Sequence, residues 1–236
     1  MELKSRKCPI EIKLVPYGGG WTDVYLYFGD KEIYLIISNV VGEGDFSTLI
    51  KSLCYLDPDY SDTQTMFDLV EEKDCICEYD DTDTTVVKGF AEKGHTKYND
   101  ENVRSIPWKT SFCWDGEGSG SRWVIERVLS DDGSFMIKVH ITSFDGEEAH
   151  DYEYIVRFED MCYAVAKAAT RALKRHGIYG FHVSTYTDDI NLRELLYLKC
   201  KALDNYEVRE LSNVCDMEHG SRSNLKNELE LLLFDM

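Results

Sequence analysis

The chain has 236 residues, of which 43% are hydrophobic, and it carries 44 acidic against 26 basic side chains, for a formal charge of −18. This composition supports an ordinary hydrophobic core, but the excess of carboxylates makes direct binding to nucleic acid or to an anionic membrane unfavourable. A basic protein is the partner that the charge favours, although many proteins are acidic only for solubility.

The compartment is inferred from what the chain lacks. Residues 1–9 contain no apolar run typical of a secretion signal, and no stretch reaches the ~18–20 apolar residues of a membrane-spanning helix. The eight cysteines are scattered along the chain, which favours reduced thiols over a disulfide framework. We therefore expect a cytoplasmic protein, and the sequence leaves its oligomeric state open.

Alternating apolar residues predict the first strands. Residues 10–16 are typical of a strand that ends at Pro16, and residues 21–37 are typical of a hairpin. An amphipathic pattern then predicts a helix over residues 46–56. The segment 57–83 that follows is strongly acidic, with eleven Asp or Glu residues against one lysine.

The second half of the chain predicts a longer series of elements. Residues 123–141 are typical of a second hairpin, and residues 152–158 of a further strand. Apolar and small residues three and four apart, preceded by Glu159 and Asp160 at the N-terminus, then predict a helix over residues 159–176 that ends at Gly177.

Beyond that helix the pattern weakens. Residues 179–186 predict a short strand or an extended loop. A helix is expected over residues 191–203, where Asn191 and Glu194 have the spacing of a capping box. Leucines on one helical face predict a last helix over residues 224–234.

Together these elements predict an α+β fold, mainly antiparallel sheets built from hairpins with three to four helices packed on one face. The order of glycine-rich loop, tryptophan, hairpin and helix occurs twice, which raises the alternative of a duplicated ββα unit. We expect a single compact domain over residues 1–236. The alternative is a pair of pseudo-repeated lobes, at about 10–105 and 106–236.

Metal and cofactor motifs are weak throughout. Cys75 and Cys77 are too closely spaced for a zinc half-site, and the aspartates within residues 80–83 lack the glycine and the distal glutamate of an EF-hand loop. The glycine-rich stretches 17–20 and 116–120 match neither a phosphate loop nor a dinucleotide-binding loop. We expect neither a metal nor a cofactor.

Cys162 is the side chain with the strongest catalytic interpretation. It lies near the start of the long helix, where the helix dipole lowers a thiol pKa, and thiol hydrolases combine that placement with a histidine. The residue also falls on the apolar stripe of the helix, which favours a buried core thiol. No catalytic residue is assigned.

An aromatic and acidic cluster is the candidate site for partner binding. Aromatic side chains are favoured at the centres of protein interfaces, where they bury much area at little rotamer cost. The alternative is a group of aromatic rings that lines the core at the base of the second hairpin. The candidate residues are Trp108, Phe112, Trp114, Asp115, Glu117 and Trp123.

The sequence favours a non-catalytic cytosolic binding protein. In general character it is similar to acidic immunity proteins that neutralise a basic toxin or nuclease, because a carboxylate-rich surface is steered towards a cationic site. The first alternative is a hydrolase without a recognisable motif, which would use Cys162 or carboxylates. The second is a structural or self-assembling subunit.

Overall fold

The computed structural model describes residues 5–38, 46–57, 85–87, 109–130, 133–146, 148–185, 190–203, 215–216, 220–221 and 225–236. Within these ranges the helices are α1 (Phe46–Leu56), α2 (Phe158–Thr185), α3 (Leu192–Ala202) and α4 (Leu225–Leu233). The strands of the first sheet are β1 (Ile10–Gly18), β2 (Trp21–Phe28) and β3 (Lys31–Ser38). The remaining strands are β4 (Thr85–Val87), β5 (Lys109–Asp115), β6 (Ser119–Leu129), β7 (Phe135–Asp145), β8 (Glu148–Arg157), β9 (Cys215–Asp216) and β10 (Gly220–Ser221).

The strands form antiparallel sheets. Sheet 1 has the order β1-β2-β3, sheet 2 has the order β4-β5-β6-β7-β8, and β9 pairs with β10. Neighbouring strands in each sheet are also consecutive in the chain, as expected where short turns join hairpins. The protein therefore has the α+β fold that the sequence predicts.

The two sheets and the helices share one hydrophobic core. Along β1, β2 and β7, buried apolar residues alternate with more exposed ones, so that alternate residues of both sheets point into this core. The rings of Phe28 in sheet 1 and Tyr154 in sheet 2 stack with their centroids 4.1 Å apart. This contact joins the inner faces of the two sheets.

The packing of the helices does not confirm a duplicated ββα unit. Helix α1 follows sheet 1 in the chain but packs against β5 and β6 of sheet 2. Helix α2 follows sheet 2 but packs mainly against β1 of sheet 1. Each helix therefore covers apolar residues from the other half of the chain.

Helix α2 is longer than the sequence pattern predicts. The helix is interrupted at Gly177, whose φ of 70° and ψ of 168° suit glycine, and helical structure then resumes to Thr185. The expectation of a strand or extended loop from residue 179 is thus wrong for residues 179–185, while residue 186 lies outside the described residues. Phe181 anchors the second helical segment in the core, and Thr185 Oγ1 donates to the Phe181 carbonyl oxygen at 2.9 Å.

Two strand predictions also need correction. Strand β1 does not end at Pro16 but continues to Gly18, with a register shift between those residues. Pro16 is tolerated because β1 lies at the end of the sheet 1 strand order, where a missing amide donor costs little. The aromatic stretch before the second hairpin forms strand β5, which the sequence pattern did not reveal.

Candidate partner-binding surface

Three of the predicted site residues lie in the core. Phe112, Trp114 and Trp123 are each at most 3% exposed. Their rings form a close cluster, with the centroids of Trp114 and Trp123 4.7 Å apart and those of Phe112 and Trp123 5.5 Å apart. The indole nitrogen of Trp123 donates to Ser121 Oγ at 3.1 Å. Their side chains therefore match the core interpretation that the sequence left open as the alternative.

The other three candidates have different positions. Trp108 lies outside the described residues, as do residues 58–83 of the acidic segment. Asp115 is half-buried and is the last residue of β5, and Glu117 is exposed and lies in the turn between β5 and β6. Only these two predicted carboxylates are therefore placed near a described surface.

The turn that carries Glu117 is tightly built. The amide of Gly116 donates to the Ser119 carbonyl oxygen at 2.8 Å, and the amide of Glu117 donates to Asp115 Oδ1 at 2.8 Å. Glu117 has a φ of 53°, an unusual value for a residue other than glycine. Glu117 Oε1 accepts a hydrogen bond from Ser38 Oγ at 3.0 Å, which brings its carboxylate to the end of β3.

This end of β3 borders a surface rich in tyrosine and tryptophan. Along β2, aliphatic residues point inward while aromatic residues alternate with them on the outer face of sheet 1. We call this surface the aromatic face, and it comprises Tyr17, Trp21, Tyr25, Tyr27 and Tyr34. Tyr17 is 57% exposed and Tyr34 is 49% exposed, whereas Trp21, Tyr25 and Tyr27 are half-buried.

The rings of the aromatic face contact one another across the strands. Tyr25 lies directly opposite Tyr34 in the β2–β3 register, and their centroids are 5.2 Å apart. Tyr17 stacks with Trp21, with a centroid separation of 6.5 Å and an interplanar angle of 26°. Such pairs stabilise the arrangement of these side chains.

One end of the aromatic face is acidic. We call it the acidic corner, and it comprises Tyr17, Trp21, Asp23 and Glu117. Asp23 Oδ1 accepts from the hydroxyl of Tyr34 at 2.8 Å. Partial burial and this hydrogen bond raise the pKa of Tyr34 to about 12. Partial burial, followed by the charges of Asp23 and Glu117, also raises the pKa of Tyr17.

The carboxylates of the acidic corner lack a cationic partner among the described residues. In that part of the chain, neither Asp23 nor Glu117 forms an ion pair with Lys, Arg or His. At the other end of the face, Lys13 Nζ lies 4.6 Å from the centroid of the Tyr27 ring. The chain itself supplies a cation at that end, whereas no described residue supplies one at the acidic corner.

The sequence contains a signal for this surface in the alternation of β2. In the stretch from Trp21 to Phe28, the outward positions are Trp, Asp, Tyr and Tyr, while the inward ones include Val24, Leu26 and Phe28. The apolar residues at the inward positions predict the hairpin. The aromatic residues at the outward positions indicate an aromatic surface, because the solvent-facing side of a strand usually carries small polar or charged side chains.

Cys162 does not have the environment of a catalytic thiol. It is fully buried in α2, and burial raises its pKa well above the usual value, with Asp57 and Glu159 adding to the shift. A reactive cysteine needs thiolate character and access to substrate. A thiol hydrolase also needs a histidine beside the thiol. His140 lies on sheet 2 and is 39% exposed, and its Nε2 atom is 3.2 Å from Asp151 Oδ1.

Comparisons with known proteins place the chain in no family: no family model, no curated protein and no solved structure matches it. Among the described helices, none is both long and apolar enough to cross a membrane. The described residues contain no group of three or more His, Cys, Asp or Glu side chains that could hold a metal ion.

Proposed function

We propose that this chain is a non-catalytic, cytoplasmic binding protein that inhibits a basic partner, in the manner of an immunity protein that neutralises a toxin or nuclease. It engages that partner through the aromatic face of sheet 1 and the acidic corner. The single observation that carries the proposal is the pair of carboxylates, Asp23 and Glu117, which border exposed aromatic rings without a cationic partner in the described chain.

Energetics and charge support this assignment. Tyrosine and tryptophan at the centre of an interface bury large area with few rotatable bonds, while rim carboxylates accelerate the approach of a cationic protein. The net charge of −18 adds a long-range attraction that salt weakens. A basic enzyme whose own cationic site faces this surface would be blocked directly.

The test uses the tagged protein to capture partners from its own cell lysate at low and at high salt. We expect a basic protein that is captured at low salt and released as salt rises. Replacing both Asp23 and Glu117 by lysine should abolish the capture, because the corner would then repel the partner. Purified complex should also show that the partner's toxic or nuclease activity falls when the chain is bound.

The control separates local charge from net charge. Asp30→Lys with Glu230→Lys changes the net charge by the same amount, but Asp30 lies at the opposite end of sheet 1 and Glu230 lies on α4. This variant should retain most of the capture. Equal loss in both variants would show that only overall charge matters and would contradict the assigned surface.

One observation favours a structural or self-assembling subunit as the second candidate. Leu225, Leu229 and Leu233 follow one another at four-residue spacing along α4 and are 65%, 46% and 56% exposed. A row of exposed leucines on one helical face is typical of a surface that another apolar surface covers. Sedimentation at micromolar concentration should then show an oligomer that Leu229→Glu dissociates, whereas a wild-type monomer would rule this candidate out.

A further inference from the structure

The acidic corner contains both aromatic rings and carboxylates, and one type of cation interacts favourably with both. The rings of Tyr17 and Trp21 stack against each other, with Tyr17 57% exposed, and the charges of Asp23 and Glu117 contribute to the raised pKa of Tyr17. Asp23 and Trp21 are two residues apart on β2 and therefore share the same face of the sheet. The hydrogen bond from Ser38 fixes Glu117 beside them.

Arginine fits this combination better than lysine. A guanidinium is planar, so it stacks on an aromatic ring while its five N–H groups, which lie in the same plane, donate to carboxylates at the edge. A lysine ammonium is compact and strongly hydrated, and it gains less from a flat ring beside a carboxylate. We therefore expect the corner to prefer arginine over lysine, although the two side chains carry the same charge.

The chain already contains this arrangement elsewhere. The Arg6 guanidinium lies over the Tyr163 ring, with its central carbon 5.1 Å from the centroid, and it forms an ion pair with Asp160. Arg6 Nε also donates to the carbonyl oxygen of Ala202 at 3.3 Å. One guanidinium can thus contact an aromatic ring and a carboxylate at the same time. The acidic corner offers both a ring and a carboxylate.

We propose that the acidic corner is an arginine-recognition site, which holds a guanidinium of the partner protein on the Tyr17 and Trp21 rings and between the carboxylates of Asp23 and Glu117. This inference rests on the proposed function, because it names the group by which the basic partner is held. The partner therefore presents an exposed arginine, and lysine does not replace it.

Short peptides test the site without the partner. The probes are three blocked heptapeptides of the sequence Gly-Ser-X-Gly-X-Ser-Gly in which X is arginine, lysine or citrulline, which keeps the shape of arginine without its charge. Affinity at low salt is measured by isothermal titration calorimetry, and NMR shifts of the Trp21 indole N–H, assigned with a Trp21→Phe variant, locate the binding in the wild type. We expect saturable shifts with the arginine peptide, affinity lower by about fivefold or more with the lysine peptide, and negligible shifts with citrulline.

Variants locate the binding. Trp21→Ala and the pair Asp23→Asn with Glu117→Gln should each weaken the arginine peptide by about tenfold, because one removes the stacking ring and the other the charged acceptors. Phe144→Ala changes an exposed ring on sheet 2 and should leave the affinity unchanged. Each variant is checked for an unaltered melting temperature, since all these side chains lie at the surface or only partly buried.

The outcomes separate this inference from the proposed function. Equal affinity for the arginine and lysine peptides, or arginine binding that survives both sets of variants, would overturn the arginine site. Such a result would leave the inhibitor proposal standing if the lysate capture still depended on the charges of Asp23 and Glu117. Failure of the lysate capture with intact arginine selectivity would instead count against the inhibitor alone.

Discussion

The ammonium group of Lys199 donates a hydrogen bond of 2.8 Å to the carbonyl oxygen of Leu231 and holds α4 against α3 from within the core. The same nitrogen donates to the carbonyl oxygens of Leu232 at 2.8 Å and Phe234 at 3.0 Å. An ammonium has three N–H groups, and here each has an acceptor at the C-terminal end of α4. Carbonyls at a helix end lack intrahelical donors and carry partial negative charge, so a cation satisfies both needs.

Lys199→Met should detach α4. Methionine keeps the approximate length of the side chain but removes the ammonium donor from all three carbonyl oxygens, of which that of Leu231 keeps the Phe234 amide at 3.2 Å. We expect this change to lower the free energy of unfolding by about 2 kcal/mol. Urea denaturation measures the loss, and amide exchange should accelerate within residues 225–233. The control is Lys174→Met, which removes an ion pair with the exposed Asp235 together with a like charge that acts on Lys199, and should cost at most about 1 kcal/mol. Equal losses would contradict the role of Lys199 as the anchor.

The stability supplied by Lys199 should depend on pH. Burial, helped by the charge of Lys174 and opposed by that of Asp235, lowers the pKa of Lys199 to about 7. An unfolded lysine titrates near ~10.4, so between these two pH values the unfolded chain binds a proton that the folded protein has released. The free energy of unfolding then rises with pH, by at most about 1.4 kcal/mol per unit.

The comparison with Lys199→Met isolates this effect. The difference in free energy of unfolding between the wild type and the variant should be constant below pH 7 and should increase from pH 7 to about 10. Groups that titrate in both proteins cancel in the difference. If the difference in free energy of unfolding did not change between pH 7 and about 10, the three carbonyl oxygens would stabilise the ammonium as well as water does. The pKa of Lys199 would then not be lowered.

A buried ion pair joins the end of α1 to α3. Lys201 Nζ lies 2.7 Å from Asp57 Oδ2, and the Tyr197 hydroxyl donates to the same oxygen at 2.9 Å. Asp57 is only 2% exposed, so Lys201→Met would leave a buried carboxylate without this ammonium and should cost about 3 kcal/mol. The double variant with Asp57→Asn should recover part of that loss. Additive losses in urea denaturation would mean that the two charges are not coupled.

The sequence predicts the helices well where their ends carry strong signals. Helix α1 occupies the residues that its apolar spacing indicates. Asn191 caps α3 as expected, but its Oδ1 accepts from the Arg193 amide at 3.2 Å, one residue before the partner that a capping box uses. The sequence pattern does not predict the continuation of α2 past Gly177, because a glycine at a helix end and a glycine at a kink look alike in sequence. Phe181 decides the outcome by tertiary burial, which a local pattern does not contain.

The candidate site is predicted less well, for a physical reason. An aromatic residue is favoured both in a core and in an interface, so composition alone does not distinguish Trp114 from Trp21. The distinction depends on which side of a strand faces the core, and the sequence pattern does not identify β5 as a strand. The approach of Glu117 to Ser38 joins different sheets across 79 positions, and no local signal specifies it.

Two glycines should respond in opposite ways to alanine. A Cβ atom on Gly120 would lie 2.9 Å from the carbonyl oxygen of Trp114, a backbone atom in a paired strand that cannot easily move. Gly180 lies in the second helical segment of α2, and its added Cβ would meet only His176 Cβ, at an ordinary 3.9 Å. Gly120→Ala should therefore lower the free energy of unfolding by about 1–3 kcal/mol, and Gly180→Ala should raise it by about 0.5–1 kcal/mol.

The Gly120 variant also connects stability to the candidate site. Gly120 lies opposite Asp115 in the β5–β6 register, so a displaced backbone there would shift the turn that presents Glu117. Arginine-peptide affinity should fall in Gly120→Ala even at temperatures where the variant is fully folded, and it should be unchanged in Gly180→Ala. Thermal melts and peptide titrations on the same samples measure both effects. Full affinity in folded Gly120→Ala would mean that the turn tolerates the shift, and that the position of Glu117 is set by Ser38 instead.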